Sequence, residues 1–203
     1  MHIGVFGGAF DPPHSAHVTL AQTAQSQLHL DKLLWIPTFI SPHKSPSTTS
    51  FSHRVEMVRT LLPSCCNSEV SPIERDLPHP SYTLHTLWAL KNLYGSTPHW
   101  TLLLGGDSWL NFSHWFEPEK IRAEVTLAIY PRNTVLDPLP PGVVQLEGPL
   151  WKIESHTIRK TLATDFKQGL SLLPNSVANY IREHGLYQNP MLEKDSDGKQ
   201  GKN

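Results

Sequence analysis

The chain has 203 residues, 17% of them charged, with 12 histidines, 18 prolines and a formal net charge of −1. That length suits one domain. The balanced charge argues against a strongly basic nucleic-acid binder and against an acidic disordered chain. No apolar run approaches about 18 residues, so no transmembrane helix is expected. Met1 leads straight into His2-Ile3-Gly4-Val5-Phe6, without a basic or long apolar leader, which reads as a cytoplasmic protein. Cys65 and Cys66 are adjacent, have no disulfide-framework or zinc spacing, and read as ordinary thiols of a reducing compartment.

The first predicted strand is His2 to Phe6, ending at Gly7-Gly8. A helix is expected from Ser15 to Leu28, with Val18, Ala21, Ala24 and Leu28 spaced for one buried face. Lys32 to Pro37 reads as a buried parallel strand. Ser41 to Ser50 is rich in Pro, Ser and Thr and reads as a loop, followed by a helix from Ser52 to Leu62. A weaker strand is expected at Glu69 to Ile73. Ser81 is read as the N-cap of a helix ending at Tyr94, with Gly95 as its stop.

Trp100 to Leu104 is the next apolar strand, ending in Gly105-Gly106-Asp107. A helical region from Ser108 to Ile121 leads to a strand from Val125 to Tyr130. Asp137 to Gly142 is a loop before a short strand at Val143 to Leu146. Helices follow from Ser155 to Phe166 and from Pro174 to Gly185. Residues 1–188 read as one domain, and the charged stretch 189–203 as a disordered polar tail. Strands alternate with helices throughout, which predicts an α/β fold with a doubly wound, mainly parallel sheet. Ligands of such sheets sit outside the carboxyl ends of the strands. That rim collects the loop after the first strand, the loop after Leu104 and the start of the Ser155 helix.

The most informative segment is Gly7 to His17, GGAFDPPHSAH. Two glycines let the backbone approach a ligand closely. His14 and His17 are three apart at a helix start, so both rings can face one rim. A helix N-terminus favours an anion, and two imidazoles there suit a phosphate that gains charge in a transition state. Asp11, His14 and His17 are alternatively a possible metal-ligand set, and the two histidines alternatively cap or pack the helix.

This segment resembles the signature of the HxGH nucleotidyltransferase superfamily, and its longer form is similar to that of the bacterial nicotinate mononucleotide adenylyltransferases. Matches continue in the same order: SPHK (Ser41 to Lys44), FSHRVEM (Phe51 to Met57), PSYT (Pro80 to Thr83), LGGDSW…W (Leu104 to Trp115), PR (Pro131-Arg132), IESHTIR (Ile153 to Arg159) and YIREHGLY (Tyr180 to Tyr187). The resemblance spans residues 1–187. It implies a Rossmann-like nucleotidyltransferase fold and a reaction between ATP and nicotinate mononucleotide that yields nicotinate adenine dinucleotide and pyrophosphate, in NAD biosynthesis. It also implies direct attack on the α-phosphorus, with no covalent intermediate.

By the same resemblance, His14 and His17 hold ATP phosphates and Arg159 holds the leaving β/γ-phosphates, with its planar fork suited to that task. Gly8, Ala9, Phe10, Gly105, Asp107, Arg132, Ser155 and His156 are expected on the ATP side. Lys44, Thr83, Trp115 and Phe116 are expected on the mononucleotide side. Lys44 is alternatively a solvated loop lysine, Asp107 a helix N-cap and Trp115 a core residue. Mg²⁺ is implied as the partner of ATP, held mainly by phosphates rather than by protein ligands.

The sequence departs from the family pattern at Ala16, where Gly is usual, and at Glu154 and His156, where Ser and Thr are usual. Glu154 is expected to face away from a triphosphate, because like charges repel, and His156 to face it. An adenylyltransferase for nicotinamide mononucleotide or another phosphate acceptor is the nearest alternative. A non-catalytic nucleotide-binding relative is the alternative of a different class. Oligomeric state is not readable from the sequence.

Overall fold

The sheet grows outward from its first strand, β1 (His2–Gly8). Helix α1 (Ser15–Leu28) returns the chain to β2 (Lys32–Pro37), and α2 (Phe51–Arg59) returns it to β3 (Ser68–Val70). After a 3-10 turn at Ile73–Asp76, α3 (Thr83–Tyr94) carries the chain back across β1 to β4 (His99–Gly105). From there the order runs outward through α4 (Gly106–Leu110), a 3-10 turn (Phe112–His114), α5 (Pro118–Glu124), β5 (Thr126–Tyr130) and β6 (Val143–Gln145). Three helices close the fold: α6 (Ser155–Thr164), α7 (Phe166–Ser171) and α8 (Asn175–Glu183). The computed structural model describes residues 1–42, 46–62, 67–131, 137–149 and 153–188. Cys65, Cys66 and the stretch 189–203 lie outside the described residues.

The six strands lie in the order β3-β2-β1-β4-β5-β6. Every pairing is parallel, so the sheet is wholly rather than mainly parallel. The order reverses between β1 and β4, where Val5 lies beside Leu102 and Phe6 beside Leu103. Crossovers on either side of that point splay apart and leave a crevice at the strands' carboxyl ends.

The apolar runs bury both faces, as period-two alternation on a covered parallel sheet requires. Phe6, Leu33, Trp35 and Leu103 pack with Leu20, Ala21 and Ala24 of α1 and Val55 and Val58 of α2. Ile3, Val5, Leu34, Leu102, Leu104 and Ile129 pack on the other face with Leu84, Leu87 and Leu90 of α3. A third cluster joins Met57 of α2 and Leu61 just after it to Ile158, Leu162, Val177 and Ile181. Each fully buried Leu or Ile contributes about 1.5–3 kcal/mol. This third cluster is what brings the C-terminal helices to the crevice.

Several boundaries differ from those expected. The region 108–121 is not one helix. Glu117 takes a left-handed conformation (φ 52°), and Pro118 starts a new helix because its ring presets φ and it lacks a donor that the first turn does not need. The helix from Ser155 ends at Thr164, and α7 restarts at Phe166 because the Asp165 carboxylate accepts the Gln168 N–H at 3.0 Å. The N-cap of α2 is Ser50, accepting from His53 N–H, so the helix begins at Phe51 and ends at Arg59. The weak strand is confined to Ser68–Val70, before Pro72. The N-cap of α3 is Tyr82, because the Ser81 side chain accepts the Ile40 N–H instead.

Candidate active site

A cavity of about 880 Å³ opens at the carboxyl ends of β1 and β4. A second, of about 420 Å³, adjoins it. Both are lined by Gly7, Gly8, Ala9, Thr38, Ser41, Gly105, Asp107 and Ser108, so they are two lobes of one cleft. A Cβ on Gly7 would meet nothing within 4 Å, which leaves the backbone open to the cleft. A Cβ on Gly8 would lie 3.0 Å from the Phe10 ring, which folds back over it. Phe10 takes a left-handed conformation (φ 49°) with its ring buried against Phe6 and Trp35.

The histidine pair belongs to the larger lobe. His14 is the N-cap residue of α1 and is 2% exposed. Its backbone N–H donates to Nδ1 of His17 at 3.1 Å, and the two ring centroids are 3.9 Å apart. An accepting Nδ1 fixes the tautomer of His17, so the ring proton sits on Nε2. Phe10 lies edge-on against the His17 ring at 5.1 Å and Phe6 lies 6.0 Å away, which limits its rotation. His17 is therefore an oriented hydrogen-bond donor at a helix N-terminus. Both features suit an anion.

The loop between β1 and α1 is held by its own backbone carbonyls. Arg159 Nη1 donates to the carbonyl of Asp11 at 2.6 Å, and Ser155 Oγ donates to that of Pro12 at 3.0 Å. These bonds dock the first turn of α6 against the loop, and place Ser155, His156 and Arg159 on the larger lobe's wall. From the opposite side Arg54 Nη1 donates to the Ala9 carbonyl at 2.7 Å. The Asp11 carboxylate accepts from Thr48 N–H and from the Tyr187 hydroxyl, both at 2.7 Å. Burial raises the Tyr187 hydroxyl far above the usual phenol range, and Asp11 adds to the rise, so it stays a donor.

Asp11 thus commits both oxygens to the protein. Among the described residues, no group of three or more His, Cys, Asp or Glu side chains is arranged to hold a metal ion. With both oxygens of Asp11 bonded within the protein, Asp11, His14 and His17 do not form a ready metal cage.

The smaller lobe has other walls. Thr83 is the first residue of α3, and the ring of its neighbour Tyr82 packs against that of Phe116, tilted by 30° with centroids 4.5 Å apart. Trp115 lines the lobe while packing partly against Phe112 and the core. Leu102, Leu104 and Ile121 form an apolar floor. Asp107 lies where the lobes meet. It is not an N-cap, because Gly105 holds that position and Asp107 sits in the first turn of α4. Lys44 and Arg132 lie outside the described residues.

The departures from the family pattern fall on the larger lobe. Ala16 is buried and lines it. Glu154 and His156 both line it and are both exposed, with Glu154 as the N-cap residue of α6. Water around an exposed carboxylate screens its charge.

Three residues of the site were not assigned from the sequence. Arg54 is 1% exposed, and its guanidinium donates to the carbonyls of Ala9, Thr49 and Phe39. Burial pulls its pKa down, while Asp11, Tyr187 and Glu74 raise it. Tyr187 and Glu74 are the others. Arg54 and Tyr187 sit inside quoted motifs, so the signal was present without a role. Glu74 carried no local signal.

The cytidylyltransferase-like family model matches residues 5–163. A protein of Desulfotalea psychrophila named "Probable nicotinate-nucleotide adenylyltransferase" is 35% identical, over 91% of this chain and 99% of its own length. One of the same name from Exiguobacterium sibiricum is 34% identical, over 92% and 99%. The structure of Plasmodium falciparum nicotinic acid mononucleotide adenylyltransferase complexed with NaAD superposes with a TM-score of 0.77. It shares 22% identity, over 92% of this chain and 97% of that one, and so supports the fold. With these matches along nearly its whole length, the chain belongs to the nicotinate-nucleotide adenylyltransferase family.

Proposed function

We propose that the protein transfers the adenylyl group of ATP to nicotinate mononucleotide, releasing nicotinate adenine dinucleotide and pyrophosphate in NAD biosynthesis. The observation that carries this reading is one cleft with two lobes that meet at Gly7–Ala9 and Gly105–Asp107, with His14 and His17 on the larger lobe. ATP takes the larger lobe and the mononucleotide the smaller. A cytoplasmic location belongs to the same proposal.

A phosphate oxygen of the mononucleotide attacks the α-phosphorus of ATP. The bond to the bridging oxygen breaks, and pyrophosphate leaves with the electron pair. The attacking phosphate is already ionised, so no general base is required; positioning and charge stabilisation do the catalysis. His17 donates from Nε2 to the α-phosphate as charge builds. His14 stands beside it on the triphosphate. Arg159 uses one donor on Asp11 and turns the rest of its fork to the β/γ-phosphates. Ser155 and His156, at the start of α6, add donors there, and the helix end favours the anion. Mg²⁺, when bound on the phosphates, neutralises charge on the leaving group.

In the smaller lobe Trp115 stacks on the pyridinium ring, a contact in which the ring's positive charge meets an aromatic face. Phe116 borders it. The first N–H groups of a helix have no intrahelical acceptor, and those of α3 around Thr83 suit the nicotinate carboxylate. That favours nicotinate over nicotinamide. Lys44 serves the mononucleotide phosphate and Arg132 the ATP side within the same proposal.

The test is pyrophosphate release from Mg-ATP with each mononucleotide, with the dinucleotide product identified by mass. Turnover with the nicotinate form, well above that with the nicotinamide form, is expected. Preference for the nicotinamide form would move the reading to that acceptor. ATP binding without turnover would mean a nucleotide-binding relative.

A further inference from the structure

The buried Glu74 has no part in the reaction above, yet it lines the smaller lobe. It sits on the 3-10 turn after β3 and is 6% exposed. One oxygen accepts the Phe39 N–H at 3.1 Å, and the other accepts the Thr86 hydroxyl at 2.9 Å. The Ser81 hydroxyl also bonds to this carboxylate. Ser81 itself is stitched to the same strand extension: its backbone N–H donates to the Ile40 carbonyl at 2.8 Å, and its Oγ accepts the Ile40 N–H at 3.2 Å.

These bonds join two walls of one pocket. Thr38, Ser41 and Pro42 flank residues 39–40 on one side, and Tyr82, Thr83 and Thr86 open α3 on the other. Arg54 lies behind the carboxylate and donates to the Phe39 carbonyl, so its charge balances an anion in a lobe that must also take the substrate's carboxylate.

We propose that Glu74 is a positioning residue for the mononucleotide: with Ser81 and Thr86 it sets the distance between residues 39–40 and the start of α3, and thereby the affinity of the smaller lobe. This rests on the functional reading above. Residues 38–41 also border the larger lobe, but there they are tied by Arg54 to Ala9 and Thr49, bonds that do not pass through Glu74. The start of α3 borders the smaller lobe alone.

The experiment is a pair of KM measurements, for ATP and for nicotinate mononucleotide, on Glu74→Gln, Thr86→Val and Thr86→Ser. Removing a buried hydrogen bond to a charged group is expected to raise the mononucleotide KM about tenfold or more in the first two variants. The ATP KM should move less than about threefold, and Thr86→Ser, which keeps the hydroxyl, should restore the wild-type mononucleotide value. Equal shifts in both KM values, or a Thr86→Ser enzyme as impaired as Thr86→Val, would overturn the proposal. Should Glu74→Gln fail to fold, the Val and Ser variants carry the same test. Wild-type turnover separates the two failures: without it the functional reading falls, and with it, but with both KM values moving together, only this proposal falls.

Discussion

The two lobes of the cleft share a floor and differ in their walls. The larger is walled by His14, His17, Arg159 and the start of α6, groups that donate hydrogen bonds or carry positive charge. The smaller is walled by Trp115, Phe116, Tyr82 and strand-end leucines, with one buried carboxylate behind the start of α3. The difference matches two ligand parts: a polyphosphate needs oriented donors, and a flat cationic ring needs aromatic faces and a small polar end. Arg54 lines the larger lobe and ties Phe39 and Thr49 to Ala9, a residue that both lobes share.

Breaking that shared clasp should have the largest effect. Arg54→Met leaves three carbonyls without their donor, and Asp11 and Glu74 without the buried cation between them. A stability loss of about 3–5 kcal/mol is expected from denaturant unfolding. A loss under about 1 kcal/mol would mean that the clasp holds nothing together.

Next is the larger lobe alone. His17→Asn removes the Nε2 donor, and kcat should fall about 10²–10³-fold with little change in the mononucleotide KM, as when one oxyanion donor is removed. An unchanged kcat would take His17 out of the transition state.

Glu154 sharpens the comparison, since it is an exposed carboxylate lining the larger lobe and not the smaller. Glu154→Ser should lower the ATP KM by no more than about fivefold, or ~1 kcal/mol, because an exposed charge is screened. The gain should shrink as salt rises. The mononucleotide KM should not follow.

The smallest effect lies at the other end of the sheet. Burial holds His2 below its ordinary value, the neighbouring His99 adds to this, and Asp31 opposes it. A lowered folded pKa means that the unfolded chain takes up a proton first on acidification. The contribution of His2 is therefore complete above about pH 6.5 and is lost as pH falls through the folded pKa. Thermal unfolding between about pH 7.5 and 5.5 should show this as a falling Tm, with a shallower slope in His2→Gln.

The alternation of strands and helices was legible because apolar runs and glycine punctuation are local. The Gly7 to His17 segment was legible for the same reason: two glycines, two prolines and two histidines fall within one short stretch of chain. The break at Glu117-Pro118 was written in the proline and in the weak helix formers of Asn111 to Phe116, where Phe112 packs on Trp115. The placing of Glu154 and Ser155 on the cleft was not legible locally, because it depends on where α6 docks, and Ser155 on Pro12 sets that. Glu74 and Arg54 are far apart in sequence and were given no role there. Only the meeting of residues 39–40, 54 and 74 in the fold makes them internal.

The central claim is that each lobe serves one substrate. It is tested most directly by measuring both KM values in Arg159→Met and in Trp115→Leu. Arg159→Met should raise the ATP KM and leave that of the mononucleotide near wild type; Trp115→Leu should do the reverse. Both variants raising the KM of the same substrate, or each raising both equally, would contradict the division of the cleft.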